Sequence, residues 1–246
     1  EGANTSEGLD SMIAPYAGIG IVVLIIAIIY MFVKLPEITD EDVDLAHGVN
    51  SSGTNAPVKP LFKTKHLMLG VIAQFSYVAA QTGVFSFFVN FLTAEELNLG
   101  ITKSMAGYLL GLGGMSLFFI GRLSGSWMMR FVAPVKLLAI YSLMCVLLLP
   151  VVSAGLGMVS VVALFLIFFF MSIMFPTIFA LAIKDLGPQT KKGSSFLIMS
   201  IVGGAVFPMF MGWVADISSM SIGFLVPIPL FAFILYYAIS GHKVKA

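Results

Sequence analysis

The sequence predicts an all-α integral membrane protein of seven spanning helices, and three observations carry that expectation. Hydrophobic residues fill 59% of the 246 positions and charged residues only 10%. With a mean hydropathy of +1.03, too little polar surface remains to coat a water-soluble globule of this length. The apolar residues fall in runs near the roughly 20 residues that a bilayer requires. No run alternates with period two. Backbone groups in hydrocarbon have no water to bond, so without barrel strands the spans must be helices.

Taken in order, residues 1–10 are polar, carry three acids and no lysine or arginine, and read as a loop before the first span at 12–33. A signal peptide would need a basic start and a shorter apolar part. The chain has no initiator methionine, and the natural product is expected to be longer at its N-terminus. Residues 35–64 hold Pro36, Pro57, Pro60, five acids and the flexible Ser51-Ser-Gly-Thr-Asn55, together with a solvated His47, and form a linker. Six more spans follow at about 66–93, 104–126, 135–154, 158–183, 193–215 and 220–240. Threading the seven puts twelve of the thirteen lysines and arginines on one side and Lys103 alone on the other. Basic residues near short loops stay in the cytoplasm, which sets the N-terminus outside and the C-terminus inside.

The two runs around the basic turn Lys184–Lys192 each contain a proline, Pro176 and Pro208. Each removes one intrahelical hydrogen bond, so a bend is expected whose freed carbonyl is satisfied by a neighbouring helix or a wet cavity. Either a substrate path or a packing kink would account for it. Gly107 and Gly111, Gly121 and Gly125, and at twice the spacing Gly204 and Gly212, predict close helix approach. Trp127 and Trp213 lie near span ends, in the headgroup layer. The single cysteine, Cys145, excludes an internal disulfide and is expected as a small buried apolar residue.

Every full charge lies at or near a span end, whereas proton relays and ion paths mark themselves by ionisable groups at depth. No catalytic residue, metal site, cofactor or nucleic-acid surface is expected. His47, His66 and His242 all lie in or beside loops, and the serines have no base. What the second span does contain is Gln74, Tyr77 and Gln81. At about 100° per residue Gln74, Gln81 and Phe85 fall nearly in line, with Tyr77, Val78 and Phe88 beside them and Asn90 opposite. Amides donate and accept with sugar hydroxyls while rings cover an apolar C–H face, so Gln74, Tyr77, Gln81 and Phe85 are candidate substrate contacts. Glutamines also bond helix to helix. Arg122, in Gly121-Arg-Leu-Ser-Gly125, reads either as a gate contact to acid or carbonyl groups in one state or as a topology anchor.

Several stretches together resemble the L-fucose:proton symporter family of the major facilitator superfamily. They are Ala73-Gln-Phe-Ser-Tyr-Val-Ala-Ala-Gln-Thr82, Phe118-Phe-Ile-Gly-Arg-Leu-Ser-Gly-Ser-Trp127 with Ala133-Pro-Val-Lys136, and Met171 to Pro208, above all Phe175-Pro-Thr-Ile-Phe179 and Gly193-Ser-Ser-Phe196. The resemblance covers Lys65 to Asp216 and is to the C-terminal half of that family. It implies two six-helix bundles rocking about a sugar site near the midplane. On that plan residues 1–34 are an external segment and the last helix of an N-terminal bundle, 35–64 the central cytoplasmic loop, and 65–246 the second bundle. The resemblance also implies that proton-carrying acids belong to a first bundle outside this chain. The expected function is proton-coupled uptake of a monosaccharide of the fucose, galactose or glucose class across a bacterial inner membrane. A passive facilitator and a stand-alone seven-helix protein or pore are the alternatives.

Overall fold

A computed structural model describes residues 3–32 and 64–243, without the side chains of residues 3–16, Tyr30 and Pro188. The chain divides into two compact units, Glu1–Ser51 and Ser52–Ala246. Among the described residues, the first contributes the helix α1 (Ala3–Phe32). It starts well before the expected 12–33, within the polar segment read as a loop. Hydropathy marks where a helix enters the bilayer, and helix propagation continues through polar residues outside it at little cost. The linker with His47 lies outside the described residues.

Among the described residues of the second unit, six helices are long and apolar enough to cross a membrane: α2 (Lys65–Leu92), α3 (Lys103–Met128), α4 (Pro134–Ser153), α5 (Met158–Ala182), α6 (Thr190–Ile217) and α7 (Met220–Gly241). All agree with the expected spans within a few residues. Local chemistry sets their ends. Thr102 accepts from the Met105 amide at 3.3 Å to cap α3, and Ser219 caps α7 through the Ile222 amide at 3.3 Å. Pro134 opens α4 at a position whose N–H would have no intrahelical partner. The α4–α5 turn needs left-handed backbone at Gly155 and Gly157, with φ of 62° and 58°. The Ser160 hydroxyl ties that turn, donating to the Val151 carbonyl and accepting from the Leu156 amide.

Water is absent from a bilayer, so packing and internal hydrogen bonds, rather than water exclusion, hold such helices together. The core lies between α2, α4, α5 and α7, where Phe88, Phe91, Leu138, Leu149, Phe168 and Phe231 are fully buried and Cys145, as expected, is buried among them. Phe88 meets Phe165 and Phe168 edge-on at 5.5 and 5.4 Å, and Phe91 meets Phe224 at 4.8 Å. By contrast, only 17% of the most apolar stretch of α3 and 22% of that of α6 are buried, against 61% of α2. These two helices flank the bundle.

The glycines show which crossings are close. A Cβ at Gly121 would stand 2.5 Å from the Phe169 carbonyl oxygen of α5, and one at Gly125 would stand 2.5 Å from Ile173. Gly204 meets Thr82 and Val78 of α2, and Gly212 meets Phe87. Gly107 and Gly111 have nothing within 4 Å, so the close approach expected of that pair is not made. They flank or enter a π-helical turn, Leu109–Gly114, which rotates the outer part of α3 relative to the Gly121–Gly125 contact.

Outside the spans, one carboxylate ties loop to helix. Glu96 Oε1 accepts from both the amide and the hydroxyl of Ser221, each at 2.7 Å. A negative charge at the first turn of α7 is placed where the helix presents unpaired N–H groups.

Candidate functional site

The central helix α2 has two unlike faces. One is sealed in the bundle: Ala73, Tyr77, Ala80, Val84, Phe88 and Phe91 expose nothing. The other is partly open, with Val71, Phe75, Gln81, Thr82, Phe85 and Val89 half-buried and Ser86 and Asn90 exposed. The expected line of candidate contacts crosses the boundary between them. Gln81 and Phe85 reach the open face. Gln74, in line with them by sequence, is fully buried, and neither atom of its amide has a hydrogen-bond partner.

Tyr77 has a structural task. Its hydroxyl donates to the Met171 carbonyl of α5 at 2.9 Å, and its ring meets Phe175 edge-on at 6.1 Å. Tyr77 is fully buried in this structure, and its hydroxyl proton is committed to that carbonyl.

The bond to Met171 belongs to a larger arrangement. Helix α5 is interrupted at Ser172 and Ile173, between Met158–Met171 and Met174–Ala182. Pro176 has no N–H to give to the carbonyl four residues back, that of Ser172. Arg122 supplies the missing donor from α3, its Nε reaching the Ser172 oxygen at 3.1 Å. The neighbouring carbonyl is the one Tyr77 occupies. Side chains from two other helices therefore satisfy the break, as the bend at Pro176 required. Gly121 permits this by bringing the α3 backbone onto Phe169 and Ser172. This carbonyl contact fits Arg122 either as a gate contact or as a topology anchor. Pro208 lies inside the last segment of α6, which runs Gly203–Ile217 after a 3-10 turn at Ser200–Val202. The α6 backbone there lies against α2, where a Cβ at Gly203 would stand 2.7 Å from the Phe75 carbonyl oxygen.

An aromatic row runs from the open face of α2 across the bundle. Phe85 stacks on Phe168 of α5 at 4.6 Å and 11°, and meets Phe118 of α3 edge-on at 5.9 Å. The Arg122 guanidinium lies 5.1 Å above the Phe118 ring. Gln81, half-buried, lies one turn before Phe85 on the same side of α2. Such an arrangement can bind a neutral polyol by hydrogen bonds on one side and ring contact on the other.

Phe118, Thr82 and Ser86 border this face, with the fully buried Phe168 behind Phe85, and none of them was singled out by sequence. Thr82, Ser86 and Asn90 recur four apart, and that polar stripe was the signal available for the more open side of α2. Among the described residues no group of three or more histidine, cysteine, aspartate or glutamate side chains could hold a metal ion.

Comparison with known proteins agrees with this architecture. The sequence profile of the Major Facilitator Superfamily matches residues 9–204. The chain is 38% identical over 230 residues to the L-fucose-proton symporter of Escherichia coli K12, covering 93% of this chain and 51% of that protein. It is 33% identical over 243 residues to a glucose/galactose transporter of Brucella abortus, covering 98% of this chain and 56% of the relative. The crystal structure of the major facilitator transporter FucP in the outward conformation superposes with a TM-score of 0.77 at 35% identity, over 94% of this chain and 55% of that one. The chain thus spans about half the length of the relatives it matches. With the profile matching most of its length and the fold agreeing, the chain belongs to the Major Facilitator Superfamily.

Proposed function

We propose that this chain forms the C-terminal part of a sugar:proton symporter working by alternating access, with a monosaccharide of the fucose, galactose or glucose class as substrate. The similarity to an L-fucose-proton symporter and to a glucose/galactose transporter supports the substrate class. The observation that carries the site is that Gln81 and Phe85 both lie on the partly open face of α2, where Phe85 meets the Phe118 ring of α3 edge-on and stacks on the buried Phe168 of α5. A preceding bundle supplies the other wall and the acids that carry the proton. On this reading α1 is the last helix of that bundle, residues 35–64 are the central cytoplasmic loop, and the chain lies in a bacterial inner membrane with its N-terminus outside and C-terminus inside. The spans α2 to α7 contain a single acid, Asp216 at the end of α6, which agrees with that division of labour.

The test is sugar counterflow in the complete protein. Gln81→Ala removes one amide contact and is expected to weaken sugar affinity about tenfold, the equivalent of one net hydrogen bond, with folded yield unchanged. Unchanged counterflow would remove Gln81 from the site. Sugar accumulation driven by an inward proton gradient distinguishes symport from passive facilitation, which equilibrates and stops.

A further inference from the structure

We propose that the amide of Gln74 and the hydroxyl of Tyr237 hold a buried water between α2 and α7, in a hydration site separate from the open face of α2. Among the described residues only four buried side-chain polar atoms lack a hydrogen-bond partner: both amide atoms of Gln74, and the hydroxyls of Tyr141 and Tyr237. Buried polar groups in folded proteins are almost always satisfied, by protein or by ordered water.

Two of these residues converge on one crossing. At Gly70 the α2 backbone comes against Ala182 of α5, and the Tyr237 hydroxyl reaches to 3.0 Å from where a Cβ at residue 70 would stand. Gln74 lies one turn further along α2. Helical side chains lean back toward the N-terminus, which directs the residue at 74 over the turn carrying Gly70. Tyr237 is aimed there from the first position of the π-turn Tyr237–Gly241, with Gly241 leaving room for its ring, which would stand 2.9 Å from a Cβ at 241.

The amide and the hydroxyl each lack a partner and so are not bonded to each other. A water satisfies both at once, donating to the Gln74 oxygen and accepting from the Tyr237 hydroxyl. Gln74 and Tyr237 both have fully buried side chains, so the site is closed to ligands on the surface where Gln81 lies.

Hydroxyl-radical footprinting by X-ray pulse, on the complete protein in lipid nanodiscs, tests this directly, because radiolysis of a bound water oxidises the side chain beside it without bulk exposure. Tyr237 is expected to be oxidised while Phe231, equally buried on the same helix, is not. Gln74→Leu is expected to bring Tyr237 labelling down to the level of Phe231, and the more isosteric Gln74→Met reads the same loss should the leucine variant not fold. An unlabelled Tyr237 in the parent protein, or labelling that survives both substitutions, would overturn the assignment. Neither result depends on transport, so the proposal fails or stands apart from the sugar site.

Discussion

Two glutamines stand seven residues apart on α2, and two glycine pairs stand fourteen apart on α3, yet within each set the surroundings differ. Gln74 is enclosed while Gln81 is partly open. Gly121 and Gly125 press against α5, while Gly107 and Gly111 face nothing within 4 Å. Periodicity places residues on one side of a helix, but the crossing of a neighbour decides which part of that side is covered. Enclosed positions then serve packing, and open ones are left for contacts made by something else.

The contrast can be broken at the glycines first. Gly121→Val drives a side chain into the Phe169 backbone, which cannot rotate away. Overpacking of this kind costs about 1–3 kcal/mol and sometimes more. A marked fall in folded yield by size-exclusion fluorescence is expected, with Gly111→Val near the parent level. Equal damage from both would erase the distinction. Next in size, Tyr77→Phe leaves the Met171 carbonyl without its donor, a loss of about 1–3 kcal/mol. A lowered unfolding temperature is expected, with sugar affinity of the surviving protein unchanged; the reverse pattern would return Tyr77 to the binding site. Glu96→Gln keeps the shape but removes the charge at the start of α7, and about 1 kcal/mol of stability should go with it. Thermal denaturation reads that shift. Phe85→Leu should cost about 0.5–1.5 kcal/mol through the lost ring pairs, a small change in melting accompanied by weaker sugar binding in counterflow.

The six spans after the linker were legible because a bilayer imposes length and hydropathy on every one of them, and the interruption one turn before Pro176 lies where the missing N–H leaves a carbonyl free. The roles of Tyr77 and Arg122 were not legible. Their acceptors lie 94 and 50 residues away on α5 and are backbone carbonyls, which every residue carries and no sequence pattern distinguishes. Glu96 was passed over for the same reason: its partner, Ser221, lies 125 residues on and becomes a donor pair only once α7 begins at Met220. For Gln74 and Gln81 the helical angle was right and the covering was missing, since burial there depends on where other helices cross.

The interruption in α5 has a consequence for how this bundle tolerates change. Pro176 and Arg122 are complementary parts of one solution: the ring withholds a proton donor from Ser172, and the guanidinium furnishes another from a separate helix. Substituting the imino acid alone, as in Pro176→Ala, would restore a competing amide and set the arginine free. Residues 122 and 176 are therefore expected to be replaceable together more readily than singly, a compensatory couple joining two segments with no sequence in common.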